Sequence, residues 1–311
     1  MDHTIAADRG DAGMRLDLVV RRHLASATAA TRTQVQLWID EGRVRVNDVV
    51  VTRAATRAMN GDIVIVSLPD AAARFVMDAE PVPLEVRYED EALLILDKPA
   101  GIVVHPTYGH QTQTIMNGLL WRARDWPAGQ RPSIVGRLDK QTSGLVVVAK
   151  RPDVHAALQR TLASAASTKD YLALVRGAVP AAPFDIALAI DRDPDDRRRV
   201  VARPDGLASL TKVERLASSG SGDDAVSLVR CRLMTGRMHQ IRVHLATSGW
   251  PILGDAKYGV PFEGLARQAL HAWRIAFAHP AGGRRIEVDA PPPADMAAVI
   301  AARVPGVASS L

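Results

Sequence analysis

The chain opens on a polar stretch, residues 1 to about 13, rich in Asp and Gly, which reads as a loose tail. From Met14 the pattern changes. Leu16, Val19, Val20 and Leu24 recur at three- and four-residue spacing and predict a helix. A Thr and Ser cluster leads into a second helical pattern, Val35, Leu37, Trp38 and Ile39, closed by Gly42. Val44, Val46 and Val49 to Val51 then alternate around Arg45 and Asn47, the signature of a strand and turn. Ile63 to Leu68 reads as a further strand after the turn Asn60-Gly61-Asp62. Two short helices and a small sheet thus make a first unit over residues 14–69.

Residues 70–83 are Ala-rich, end in proline and lack periodicity, which predicts a linker. Beyond it, over 84–311, strands such as Ala92 to Leu96, Leu145 to Val148, Tyr171 to Val175 and Val226 to Leu233 alternate irregularly with loops and helical segments. No fixed-period repeat is visible. This arrangement predicts an α+β domain on a mixed, largely antiparallel central sheet. Pro291-Pro292-Pro293 marks an extended stop before a short final helix.

Hydrophobic residues make up 47% of the 311 positions and charged residues 23%, so the chain is globular, not disordered. The net charge of +5 fits a nucleic-acid partner without singling one out. With one cysteine, Cys231, no disulfide can form within the chain and no cysteine-based zinc site is available, which points to a reducing compartment. No apolar run approaches the roughly 18 residues a membrane span needs. The expectation is a soluble, cytoplasmic monomer with no membrane partner.

In the first unit, Arg32 and Gln34 stand at the start of a helix, where free N–H groups and side-chain donors can face a phosphate. Arg43 and Arg45, two apart on the expected strand, share one face. Taken singly, each arginine reads equally well as solvated surface. The ordered pattern says more. Arg15-Leu16-Asp17, the run Thr31 to Ile39, the run Gly42 to Asn47 and Gly61-Asp62 together resemble the small RNA-binding domain first seen in bacterial ribosomal protein S-four. The resemblance implies that this unit binds RNA.

Four blocks stand out in the larger unit: Leu96 to Pro106, Gly136 to Leu145, Lys169 to Gly177, and Thr235 to Leu245 followed by Gly254-Asp255 and Tyr258-Gly259. Asp139 lies in a turn rich in Thr, Ser and Gly, just before a continuously apolar strand. Read alone, it is either an Asp capping a turn or a carboxylate at a cleft beside that strand. Met238 to Ser248 reads as a helix stopped by Gly249, with Met238, Ile241 and Leu245 as its apolar stripe and Arg242 emerging beside it.

Together the blocks resemble the RluA family of pseudouridine synthases from about residue 84 to about residue 290, and the upstream RNA-binding unit fits the larger members. The resemblance implies a pseudouridine synthase fold preceded by a small α/β RNA-binding domain, and an enzyme that isomerises uridine in RNA. It implies Asp139 as the catalytic carboxylate, attacking covalently or stabilising charge on the sugar, two roles the sequence does not separate. Arg242 resembles the arginine that keeps that carboxylate ionised, and Tyr171 the tyrosine that stacks on uracil and handles a proton. Arg137 matches the arginine that fills the space of the extracted uridine. Leu145 and Ile241 either wall the uracil pocket or simply pack the core. Isomerisation needs no redox change, so no cofactor is implied.

Two departures from the family pattern stand out: Gly136 where it usually has His, and Met238 where it usually has Thr. His105, His239 and His244 lack the spacing and carboxylate context of a zinc enzyme, so no metal is expected. The run from Asp191 to Arg199 is a surface segment, either a phosphate contact or an internally paired charge run. The target expected from this domain combination is large-subunit (23S) ribosomal RNA or a ribosome precursor. The alternatives are a tRNA pseudouridine synthase and a non-catalytic RNA-binding ribosome-assembly factor. The second is disfavoured because a binding protein does not need Asp139, Tyr171 and Arg242 together. A glycosidase-like enzyme would need a second carboxylate for acid catalysis, and the blocks offer none in that role.

Overall fold

The computed structural model describes residues 2–24, 30–68, 77–107, 110–196 and 198–310. The chain divides into two compact units, Met1–Met77 and Asp78–Leu311. Residues 69–76, including the first half of the expected linker, lie outside the described residues.

The first unit comprises β1 (Asp2–Ala6), α1 (Leu16–Leu24), α2 (Arg32–Asp40), β2 (Val44–Val46), β3 (Val49–Val50) and β4 (Ile63–Ser67). The four strands form an antiparallel sheet in the order β1-β4-β2-β3. Leu16, Val20 and Leu24 of α1 and Val35 and Ile39 of α2 bury their apolar faces against Val44, Val64 and Val66. Helix α2 starts at a capping box: Thr31 Oγ1 accepts the Gln34 N–H, and the Gln34 side chain accepts the Thr31 N–H. Asn47 and Asp48, with φ of 49° and 64°, make the β2–β3 turn, the left-handed pair a tight hairpin requires.

Two expectations change here. Residues 2–6 are an edge strand on β4, not a tail, and Ile5 joins the core with 5% exposure. One apolar anchor is too weak a signal to mark a strand before its partner is known. Arg43 precedes β2 instead of lying on it.

Asp17 anchors this unit. It is fully buried and accepts from Arg15 Nε at 2.9 Å, Arg32 Nε at 3.0 Å and Gln36 Nε2 at 2.7 Å. Burial by itself would raise its pKa, but these bonds from Arg15, Gln36 and Arg32 outweigh it and hold the carboxyl well below the usual carboxylate range.

The second unit is built on β5 (Glu85–Glu89), β6 (Leu93–Lys98), α3 (Ile115–Arg122), β7 (Ser133–Val135), β8 (Ser143–Ala149), α4 (Pro152–Ala163), β9 (Thr168–Arg176), β10 (Phe184–Ala187), β11 (Ile190–Arg192), β12 (Val200–Ala202), β13 (Leu210–Ser219), β14 (Val226–Leu233), α5 (Gln240–Thr247), β15 (Leu270–Ala278), β16 (Arg285–Asp289) and α6 (Ala294–Arg303). Its large sheet runs β10-β13-β14-β9-β15-β8-β6-β5, with β16 beside β15 and β7 beside β8. Every pairing is antiparallel except β15 with β8. All seven residues of β8 are buried, which explains its unbroken apolar run. One core gathers around β9, β14, α5 and α6, and another around β6, β8, α4 and β16.

The parallel pairing aligns three segments that reach the cleft. Ala272 of β15 sits opposite Gly144 of β8 on one side and Tyr171 of β9 on the other, so the three share one row. A Cβ on Gly144 would lie 2.3 Å from the Ala272 carbonyl oxygen, so only glycine permits this approach. The charged run from Asp191 to Arg199 is partly a hairpin, β11 with β12, and Val200 packs against Val243 of α5; Arg197 lies outside the described residues.

Asp17→Ala removes the acceptor for two arginines and an amide in a buried site. It is expected to destabilise the first unit by about 2–4 kcal/mol, read as lost hydrogen-exchange protection across residues 30–68. Because the folded carboxyl titrates below the unfolded one, this contribution is complete above the unfolded pKa of about 4 and is lost as pH falls through the folded value. The wild-type unit should therefore lose protection on acidification, and the variant should lose much less.

Candidate active site

Asp139 sits in the turn between β7 and β8, and that turn is pinned from two sides. The Nζ of Lys98, at the end of β6, donates to the carbonyls of Pro99 at 2.8 Å, Ile102 at 3.1 Å and Lys140 at 3.1 Å. The Gly101 N–H donates to the Lys140 carbonyl as well. Opposite, Arg267 donates to the Gln141 carbonyl and Gln268 to Thr142 Oγ1, each at 3.2 Å. Lys98 is fully buried. Burial pushes its pKa down to about 7, the positive charge of Arg267 adds to this, and Asp139 opposes it. Three carbonyls match the three donors of an ammonium group, so the side chain ties β6 to the residue after Asp139.

Arg242 lies in the first turn of α5. Its Nη1 donates to Asp139 Oδ2 at 2.8 Å, while Nε and Nη2 fork onto Asp255 at 2.7 and 2.8 Å. Asp255 is 1% exposed, Arg242 8% and Asp139 24% by side chain, so the cation and one of its carboxylates are buried while the other opens to the cleft. Burial raises the Asp255 pKa, but Arg242 and the N–H groups of Lys257 and Tyr258 bring it below the ordinary range. One guanidinium thus serves two carboxylates, and the excess negative charge is left on Asp139.

Asp139 lines an open cleft of about 640 Å³, together with Arg242, Tyr171, Arg137, Leu145 and Ile241. The structure therefore brings together all six catalytic-domain residues expected from sequence. Burial, and next the Asp139 charge, push the Tyr171 pKa up, so its phenol stays protonated at neutral pH. Leu145 and Ile241 are buried at 6% and 3% and face core and cleft together. Arg137 is exposed in the cleft.

The other four expected residues lie in the first unit. Arg32 bonds Asp17 but keeps 47% of its side chain exposed, Gln34 forms the cap of α2, Arg43 pairs with Glu41 at 2.6 Å, and Arg45 approaches Asp2 at 3.6 Å. Among the described residues the cluster spaced for a metal ion is Asp8, Asp11 and His23, also in the first unit, where Asp11 already bonds Arg22 and His23.

Helix α5 begins at Gln240, not at Met238. The Gln240 side chain accepts from Thr235 Oγ1 and from the Arg237 N–H, and His239 takes a left-handed conformation that breaks the helix there. Met238 packs instead beside Val200, Val243 and Tyr258. Lys98, Asp255, Tyr258 and His239 join the site beyond the residues expected from sequence. A signal for Asp255 was present: a helix arginine drawn into a core needs a carboxylate, and the fourth block supplies an aspartate at its end.

Residues 92–247 match the RNA pseudouridylate synthase family and residues 14–64 the S4 domain. An RNA pseudouridine synthase of Bacillus subtilis, YlyB, described as uncharacterized, is 41% identical over 87% of this chain and 88% of its own length. The ribosomal large subunit pseudouridine synthase D of Neisseria meningitidis serogroup A is 37% identical over 92% of this chain and 77% of its own. The solved structure of human RNA pseudouridylate synthase domain containing 1 aligns with a TM-score of 0.55 at 27% identity, covering 68% of this chain and 84% of that one. The chain belongs to the RNA pseudouridylate synthase family and is an RNA pseudouridine synthase that carries an S4 domain.

Proposed function

We propose that this enzyme isomerises uridines of large-subunit ribosomal RNA in the cytoplasm, as a monomer, with Asp139 as the reacting carboxylate. The observation that carries the chemistry is the uneven sharing of Arg242. Its fork is spent on buried Asp255, and a single N–H reaches Asp139, which keeps its second oxygen, Oδ1, without a hydrogen bond among the described residues. An anionic oxygen held at the mouth of a cleft suits attack on C1′ of the ribose, or stabilisation of positive charge there.

The reaction breaks the C1′–N1 bond, joins C1′ to C5, removes the proton from C5 and places one on N1. Atoms and electrons balance within the nucleotide. Tyr171, protonated and at the cleft wall, offers an aromatic face to the uracil and an O–H donor to its oxygens. Arg137 is free to occupy the vacated stack.

The cleft suits RNA in charge as well. Arg137, Lys169, Arg237 and Arg274 line it, and none of the four is in an ion pair among the described residues. Arg274 Nε is buried without an acceptor. Cations without carboxylate partners favour a phosphate backbone. The 14–69 unit, joined through 70–83 to the catalytic domain at 84–311, is proposed to add phosphate contacts through Arg32, Gln34, Arg43 and Arg45. The ribosomal target rests on the relatives that carry that name. The described residues include no helix long and apolar enough to cross a membrane, which suits the proposed location.

Asp139→Asn preserves shape but removes the charge. Pseudouridine formation in transcribed large-subunit rRNA should fall by at least about 10³-fold, or ~4 kcal/mol in the barrier, with RNA affinity retained. Turnover within tenfold of wild type would refute the assignment. Lys169→Gln and Arg274→Gln should each weaken RNA binding and lower the slope of log affinity against log salt by about 0.7 to 1. An unchanged slope in both would remove these residues from the RNA path.

A further inference from the structure

A second side chain, His239, faces Asp139, and a hydrogen-bond chain through Tyr258 bears on its tautomer. The Val200 N–H donates to the Tyr258 hydroxyl oxygen at 2.8 Å, and His239 Nδ1 lies 2.8 Å from the same oxygen. The phenol has one proton to give, and among the described residues Nδ1 is the acceptor in reach; with that proton given to Nδ1, the neutral imidazole carries its own on Nε2. Nε2 lies 3.8 Å from Asp139 Oδ1, the oxygen that Arg242 leaves open.

The backbone corroborates this placement. His239 has φ 55° and ψ 18°. For a residue other than glycine that conformation is strained and persists only where surrounding structure enforces it. The enforcing structure is the loop from Gly254 to Gly259. Asp255, which holds Arg242, also accepts the Tyr258 N–H at 3.2 Å. The Tyr258 ring lies 5.0 Å from the Arg242 guanidinium and edge-on to His239, with centroids 5.4 Å apart. A Cβ on Gly259 would fall 2.0 Å from the Ile252 carbonyl oxygen, so the loop closes only with glycine there.

We propose that Tyr258, acting through His239, is a positioning residue for the reaction: it fixes the imidazole as the Nε2–H tautomer and sets an uncharged donor against Oδ1 of Asp139. The proposal rests on Asp139 being the reacting carboxylate. A neutral N–H supports the anion without cancelling its charge, whereas an imidazolium would pair with Oδ1 and occupy it. Burial opposes the imidazolium first. Asp139 and Asp255 favour it, Arg242 and Lys257 oppose it, and the net direction is toward the neutral ring. Arg199, 5.5 Å over the Tyr258 ring, adds positive charge beside it. The Tyr258 O–H, spending its proton on Nδ1, stabilises the neutral form further. Removing it should let the ring protonate at higher pH.

The test has two arms. In wild type labelled with ¹⁵N-histidine, His239, assigned by its absence in His239→Gln, should show a protonated Nε2 and an unprotonated Nδ1. Tyr258→Phe, which keeps the ring, should abolish that fixed tautomer. In single-turnover pH–rate profiles on transcribed large-subunit rRNA, Tyr258→Phe should lower the rate about tenfold, with RNA affinity moved less than about twofold. Its acid limb should move up by about one pH unit. His239→Gln keeps an N–H and loses the titration, so adding Tyr258→Phe to it should cost nothing more. The proposal is overturned if wild-type His239 carries its proton on Nδ1, if the acid limb of Tyr258→Phe stays in place, if that variant loses affinity instead of rate, or if the two substitutions are additive. The tautomer is read without turnover, so an active Asp139→Asn would sink the reading of Asp139 while leaving the tautomer measurement intact.

Discussion

One guanidinium shared between two carboxylates is the constraint on which the site depends. Arg242 and Asp255 are both buried, so each would be costly alone, and a broken buried pair of this kind typically loses about 3–5 kcal/mol. The bidentate fork fixes the plane of the guanidinium. That plane then determines where the remaining N–H points, and Asp139 meets it from a different part of the chain, 103 residues away. Because Asp255 already balances Arg242, the negative charge of Asp139 is oriented and supported but not neutralised. The role proposed for Asp139 calls for this combination: a fixed position with an unspent charge.

The scaffold serves that arrangement by bringing three separated segments to one row of the sheet. The parallel contact of β15 with β8 places Gly144, Ala272 and Tyr171 side by side, and the Asp139 turn enters β8 at that point. Lys98 then ties the turn to β6 through the Lys140 carbonyl. Strand pairing sets the approximate geometry, and the buried lysine and arginine tighten it. Holding the site on strands and on the first turn of a helix limits its freedom more than a loop would.

Much of the fold was legible in the sequence where burial is one-sided or complete. The run Leu145 to Ala149 marks β8, Val226–Leu233 is the strand its pattern predicts, and the capping residues of α2 stand where its helix begins. What escaped was non-local or contrary to habit. β1 has a single well-buried apolar anchor and gains its identity from β4, more than fifty residues away. Helix α5 starts late because Gln240 and His239 spend polar groups on contacts with Leu210, Thr211 and Tyr258, which no periodicity records. Lysine and aspartate are ordinarily surface residues, so nothing local announced that Lys98 is buried, and for Asp255 the one signal was the need of Arg242 for a carboxylate. For Asp139 itself, residue-level reasoning left a turn cap and a cleft carboxylate both open. The family resemblance carried the candidate site and its Asp139–Arg242 pair, and the structure adds Asp255 as the second carboxylate that shares Arg242.

The most direct measurement is the single-turnover rate of Asp255→Asn, beside its affinity for the same transcribed large-subunit rRNA. The asparagine keeps the size of the side chain but removes the charge that balances Arg242 and one of the two oxygens that orient its fork. If the sharing of Arg242 is what leaves Asp139 reactive, the rate should fall by at least about tenfold, with RNA affinity essentially unchanged, although residue 255 is buried away from the cleft carboxylate. A variant that turns over at the wild-type rate would contradict this explanation, because Asp139 would then be reactive without the charge that Asp255 supplies.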